Sequence, residues 1–174
     1  MNKKKINDMK NLITYGKIFD REKFEEVRNE ISFANKPEKG GLWCSPENSV
    51  YGWKDFCQGE DFRTEDLDHG TRFDLKEGTK LLVIDCVEDY RKAIERFGGR
   101  NRELYYVKEK FLNFGLIRDA GYDGVYLTDN GNSELHTPDF DEFGDLEMVM
   151  NTWDVESILI LNPDCMENIR PFGK

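Results

Sequence analysis

Hydrophobic and polar positions change period several times along the 174-residue chain, and each change predicts an element. Apolar residues crowd 12–19, where Leu12, Ile13, Tyr15, Ile18 and Phe19 predict a strand. Asp20 can cap a following helix on which Phe24, Val27 and Ile31 share one face. A turn over 35–41, built from Lys, Pro and Gly, leads into the short strand Gly41-Leu42-Trp43-Cys44-Ser45. That strand ends in a turn at Pro46, and a helix is predicted over 49–57. Residues 58–70 are polar and acidic and read as a loop, and strands follow at 73–75 and 80–84 around a turn at Glu77-Gly78. Val87, Tyr90, Ala93, Ile94 and Phe97 mark an amphipathic helix that stops at Gly98-Gly99. A further helix is predicted near 108–120, closed by Gly121-Tyr122-Asp123, with a strand over 124–128. Residues 129–144, rich in Asn, Gly, Asp and Pro, are long for a connection and predict a functional or mobile loop. Two strands over 146–150 and 157–161 complete the pattern, joined through Trp153-Asp154, with Pro163 ending the second. The whole is an α+β pattern of short, aromatic-rich strands with about three helices, expected as one domain over 1–174.

Composition narrows the class. Charged residues make up 34% of the chain and no apolar run approaches the roughly 20 residues of a spanning helix, so no membrane partner is expected. The basic start lacks the apolar stretch of a signal peptide, which predicts a cytoplasmic protein. A net charge of -10 argues against broad nucleic-acid binding driven by counterion release. It leaves room for a local basic cleft, for which Lys36, Lys39, Lys54, Arg63, Arg72 and Arg100 are the candidates, although such residues are more often solvated surface. Cys44, Cys57, Cys86 and Cys165 form no close pair, and His69 and His136 stand alone in polar stretches, so no metal site is expected.

The chemistry concentrates around the strand that opens at Gly41. Trp43 and Trp53 lie ten residues apart with Ser45, Asn48 and Ser49 between them, a plausible stacking slot for a flat aromatic ligand. The plainer reading makes Trp43 core and Ser45 a helix cap. Late in the chain, Glu147 sits among Leu146, Met148 and Met150, where a carboxylate is costly to bury without a partner or a task. The plainer reading there is a solvated strand face.

Taken in order, Thr14-Tyr15-Gly16, then Gly41-Leu42-Trp43-Cys44-Ser45 with Ser49 and Trp53, then Glu147 before the strand Ser157-Ile158-Leu159-Ile160, resemble the ADP-ribosyltransferase superfamily of bacterial toxins and poly(ADP-ribose) polymerases. The resemblance covers most of the chain and is most specific in the second motif. It departs from the family at Tyr15, where a His or Arg is usual, at Trp43, which replaces a Tyr, and at Asp145, where a Glu-x-Glu pair would begin.

The resemblance implies split, mostly antiparallel β-sheets around an NAD cleft, with about three flanking helices. It implies an NAD-dependent mono-ADP-ribosyltransferase, with NAD as substrate and no metal. It further implies a protein or nucleic-acid acceptor, and the context of an intracellular toxin or phage or defence modifier with a possible neutralising antitoxin. Under it Glu147 is the carboxylate facing the ribose, Trp43 and Tyr15 complete the catalytic set, and Gly16, Gly41, Ser45, Ser49 and Trp53 join them in binding NAD. Two other readings stand beside it: an acidic binding or inhibitor protein using runs such as 139–145, and a nucleotide-binding pseudoenzyme of the same fold.

Overall fold

The computed structural model describes residues 9–100, 110–136 and 152–173. Its centre is a seven-stranded, mostly antiparallel sheet. In chain order the strands are β1 (Leu12–Tyr15), β2 (Leu42–Pro46), β3 (Gly70–Leu75), β4 (Leu81–Ile84), β7 (Gly124–Leu127), β8 (Ser157–Ile160) and β9 (Met166–Phe172). They lie side by side in the order β4-β7-β8-β2-β1-β3-β9, and only the β4–β7 pair is parallel. Two residues each from β5 (Gly98–Gly99) and β6 (Phe111–Leu112) make a separate small ladder. Among the described residues there are four α-helices: α1 (Trp53–Gly59), α2 (Val87–Phe97), α3 (Phe114–Asp119) and α4 (Asp129–His136). The fold is α+β.

Strand alternation builds a core on each face of the sheet. Val125 and Leu127 of β7 and Leu159 of β8 point to one side, where they meet Val87, Tyr90 and Ala93 of α2 together with Trp153. Tyr126, Ile158 and Ile160 point to the other side, against Leu12, Leu42 and Phe73. The unbroken apolar stretches of β7 and β8 belong to strands buried on both faces, which places them centrally in the sheet. The helix Val87–Phe97 forms over the expected residues because its apolar positions recur at helical spacing and Gly98 follows.

Several expectations are corrected. In place of the helix over 20–31 there is only a 3-10 turn at Arg21–Lys23, capped by Asp20 as anticipated. The carbonyls beyond it find distant partners: Gly41 N–H donates to Glu25 O at 2.8 Å and the Arg118 guanidinium to Val27 O at 2.8 Å. Backbone held from outside has no need of helical i, i+4 bonds. The strand expected over 12–19 ends at Tyr15, because Gly16 turns the chain at a φ of +71°. The helix expected over 49–57 starts at Trp53, after a turn that closes on Pro46 O. In the 108–120 stretch the described residues give β6 and then α3, with the Asn113 side chain capping Leu116 N–H.

The predicted loop over 129–144 begins as helix α4. Thr128 Oγ1 accepts from Gly131 N–H there, and Leu135 is buried, so packing overrides a composition poor in helix formers. The strand β9 was not anticipated. It is polar, contains Pro171, and pairs with β3 at the sheet edge, where a proline is tolerated. The predicted strand over 146–150, with Glu147, lies outside the described residues. No helix among the described residues is long and apolar enough to cross a membrane.

Candidate functional site

The sheet parts where β1 and β2 should continue to pair. Their ladder is limited to Leu12↔Pro46 and Ile13↔Ser45. Beyond it, Thr14 and Tyr15 pair only toward β3, while Leu42, Trp43 and Cys44 pair only toward β8. β2 thus changes partner midway, and the divergence opens a cleft of about 210 Å³. Because strand side chains alternate, Trp43 and Ser45 share one face. Register carries Tyr15 and Ser157 onto the same face, Tyr15 through the Ile13↔Ser45 pair and Ser157 through the Cys44↔Ile158 pair.

Four residues singled out in the sequence therefore meet in one cavity: Tyr15, Trp43, Ser45 and Trp53. Trp43 is half-buried and lies edge-on to Trp153 with ring centroids 4.6 Å apart. Trp53 stacks on Phe56 at 5.4 Å and meets Phe62 edge-on, so α1 presents an aromatic platform at the rim. Tyr15 leans edge-on against Phe172 of β9. Burial holds the Tyr15 phenol above its usual pKa; the Glu47 carboxylate adds to this and the Arg72 guanidinium opposes it. Arg72 in turn is ion-paired to Glu47 at 2.8 Å and lies over the Phe172 ring.

Gly16, Gly41 and Ser49 are not brought to the cavity wall. Gly16 N–H is committed to His69 O at 2.9 Å, and a Cβ at Gly16 would fall 2.7 Å from Asp66 Cγ. The missing side chain at Gly16 leaves room for Asp66, which lines the cavity. Gly41 has a φ of +71° and faces Leu159, so it sets the start of β2. Ser49 Oγ donates to Pro46 O at 2.9 Å and shapes the turn before α1.

Comparison with protein-family models, with curated proteins and with solved structures gives no match. The reading of the cleft rests on its own chemistry.

Several lining groups were not singled out as site residues in the sequence. Lys36 and Arg63 were named only as candidates for a basic cleft, and both border it. Lys36 makes no ion pair among the described residues, whereas Arg63 holds Asp66 at 2.7 Å. Asp66, Thr152, Trp153, Asp154 and Ser157 complete the wall that the aromatic pattern did not suggest. The only signal for these last residues was the Trp153-Asp154 pair before a strand.

Behind that pair sits Asn35, fully buried at a left-handed φ of 56°. It accepts the Trp153 indole N–H on its carbonyl at 2.8 Å, and its side chain bonds Tyr90 Oη and Leu112 N–H. Lys36 and Thr152 also border a second, open groove of about 910 Å³ that holds Phe33 and Arg100. Among the described residues no group of three or more His, Cys, Asp or Glu side chains could hold a metal ion.

Proposed function

We propose that the protein is an NAD-dependent mono-ADP-ribosyltransferase of the fold its sequence resembles, with the cleft between β1 and β2 receiving the nicotinamide ribose half of NAD. The observation that carries this reading is the convergence of Tyr15, Trp43, Ser45 and Trp53 on one cavity at the point where the sheet splits. Flat rings on the wall suit a flat, cationic nicotinamide ring. The Ser45 hydroxyl suits an amide or a ribose, and Ser157 Oγ, which donates to Val155 O at 2.8 Å, is left to accept. The cavity, at about 210 Å³, lies below the roughly 300–1,000 Å³ of pockets that enclose a drug-sized ligand. Under this reading it would take one ring and its sugar, and the rest of the dinucleotide would leave past Lys36 toward the open groove. A lysine that makes no ion pair among the described residues suits a pyrophosphate at that junction.

The chain's own residues would work by holding and by electrostatics. The aromatic walls exclude water and orient the ring, and a carboxylate beside the ribose stabilises the positive charge that develops as nicotinamide leaves. The test is incubation of the protein with labelled NAD, alone and with a cell lysate, alongside titration of tryptophan fluorescence with NAD. Release of nicotinamide, transfer of label and saturable quenching are expected. Protease and nuclease treatment of the labelled product then assigns the acceptor class. Trp43→Ala is expected to weaken NAD binding about tenfold or more, since stacking on an aromatic side chain is worth about 1–3 kcal/mol per base. A folded protein that neither binds NAD nor releases nicotinamide would rule the reading out.

A further inference from the structure

We infer that Asp154 is the carboxylate of the cleft that faces the charge developing on the ribose, an assignment that rests on the reading of the cleft as an NAD site. Two acidic residues line the cavity among the described residues, Asp66 and Asp154. Asp66 is neutralised: Arg63 Nε and its terminal nitrogen both hold it at 2.7 Å. Two carboxylates outside the cavity wall are engaged as well, Glu47 by Arg72 and Glu156 by the Tyr126 hydroxyl. The Asp154 carboxylate is exposed and makes no hydrogen bond or ion pair among the described residues. A carboxylate already paired with a guanidinium has little field left for a passing cation, so the free one is the effective group.

Its backbone, by contrast, is held on both sides. Trp153 is 1% exposed, bonded to Asn35 O, packed edge-on to Trp43 and stacked near Phe114. Val155 is also 1% exposed, and Thr152 Oγ1 donates to Ala34 O at 2.7 Å. The Asp154 carbonyl accepts from Asn132 Nδ2 at 3.4 Å. A charged group on a fixed stretch of chain, beside the aromatic wall that would hold the ring, is pre-organised for electrostatic work. In the step it serves, the bond between ribose C1′ and the nicotinamide nitrogen breaks and its electron pair leaves with the ring. A nucleophile, either water or an acceptor hydroxyl or amine, bonds to C1′ and loses its proton to solvent. Asp154 stays ionised and forms no bond.

The experiment measures nicotinamide release and NAD affinity by tryptophan quenching for the native chain, Asp154→Asn, Asp154→Glu, Glu147→Gln and Glu156→Gln, each checked for native circular dichroism. Asp154→Asn is expected to lose about 10²-fold or more in kcat with NAD affinity changed less than about threefold, and Asp154→Glu to recover part of the rate. A full rate in Asp154→Asn, or in Asp154→Glu a rate no better than Asn supports, would overturn the assignment. Loss of affinity matching the loss of rate would also overturn it, by making Asp154 a ground-state binder. Should Glu147→Gln or Glu156→Gln alone abolish release, the carboxylate lies elsewhere while the NAD reading stands. A native protein without binding or release removes that reading itself.

Discussion

At the scale of single residues, Asn35 does the most structural work for the site. Its left-handed backbone turns the chain, its amide joins helix α2 to strand β6 through Tyr90 and Leu112, and its carbonyl fixes Trp153. Asn35→Leu leaves the Leu112 N–H without its acceptor in a buried place and forces a branched apolar residue into a left-handed φ. The expected result is a loss of about 2–4 kcal/mol in urea unfolding, with the buried Trp153 emission shifted to the red before the global transition. An unfolding midpoint equal to the native one would show that the hub is dispensable. Nothing local to the sequence flagged this residue, since Asn before Lys-Pro reads as an ordinary turn.

At the scale of elements, the segment over 24–32 and helix α3 approach backbone to backbone. A Cβ at Gly115 would meet Asn29 Cα at 2.5 Å and Arg28 O at 2.7 Å, and a Cβ at Gly40 would meet Glu26 backbone at 2.5 Å. Helix propensity alone predicts that Gly115→Ala stabilises α3 by about 1 kcal/mol. The close approach reverses the sign: the expected outcome is a net destabilisation of about 1–3 kcal/mol, read as a lowered Tm. A raised Tm would mean that the segment is free to move aside. The same contact explains why the helical spacing of Phe24, Val27 and Ile31 does not become a helix. Val27 is buried by a chain whose carbonyls are already claimed by Gly41 and Arg118.

For the molecule as a whole, the cores on both faces of the sheet, and the cleft, hold neutral acids. Burial pushes the Cys165 thiol up to about 12 and the Cys44 thiol well above its usual 9.0, and it raises the Tyr15, Tyr90 and Tyr126 phenols above 10.0. Each fold-raised pKa favours the protonated form in the native state. The contribution is full below the unfolded value and is lost as pH rises through the folded one. Stability is therefore expected to hold to about pH 9 and to fall steadily above it, with the urea midpoint as the readout. Cys165→Ala should flatten the part of the fall between 9.0 and about 12. A midpoint constant to about pH 11 would refute the buried-acid account.

What the sequence determined by itself follows from short-range physics. Val87–Phe97 is a helix because its apolar residues repeat on one face and glycines end it. The buried strands at Gly124–Leu127 and Ser157–Ile160 announce themselves as unbroken apolar runs. Trp43 and Ser45 on one strand face, with Trp53 on the helix beyond, were legible as a candidate slot because alternation is a local property. Tertiary structure decided the rest. The cleft exists only because β2 exchanges β8 for β1 midway, a pairing between segments more than a hundred residues apart on one side. Gly16 and Gly41, read in the sequence as ligand groups, do not line the cavity, and a side chain at either would meet Asp66 or Leu159. That Asp154 makes no ion pair among the described residues depends on which other acids find cations or hydroxyls, and partners so distant in the chain leave no periodic trace in the sequence.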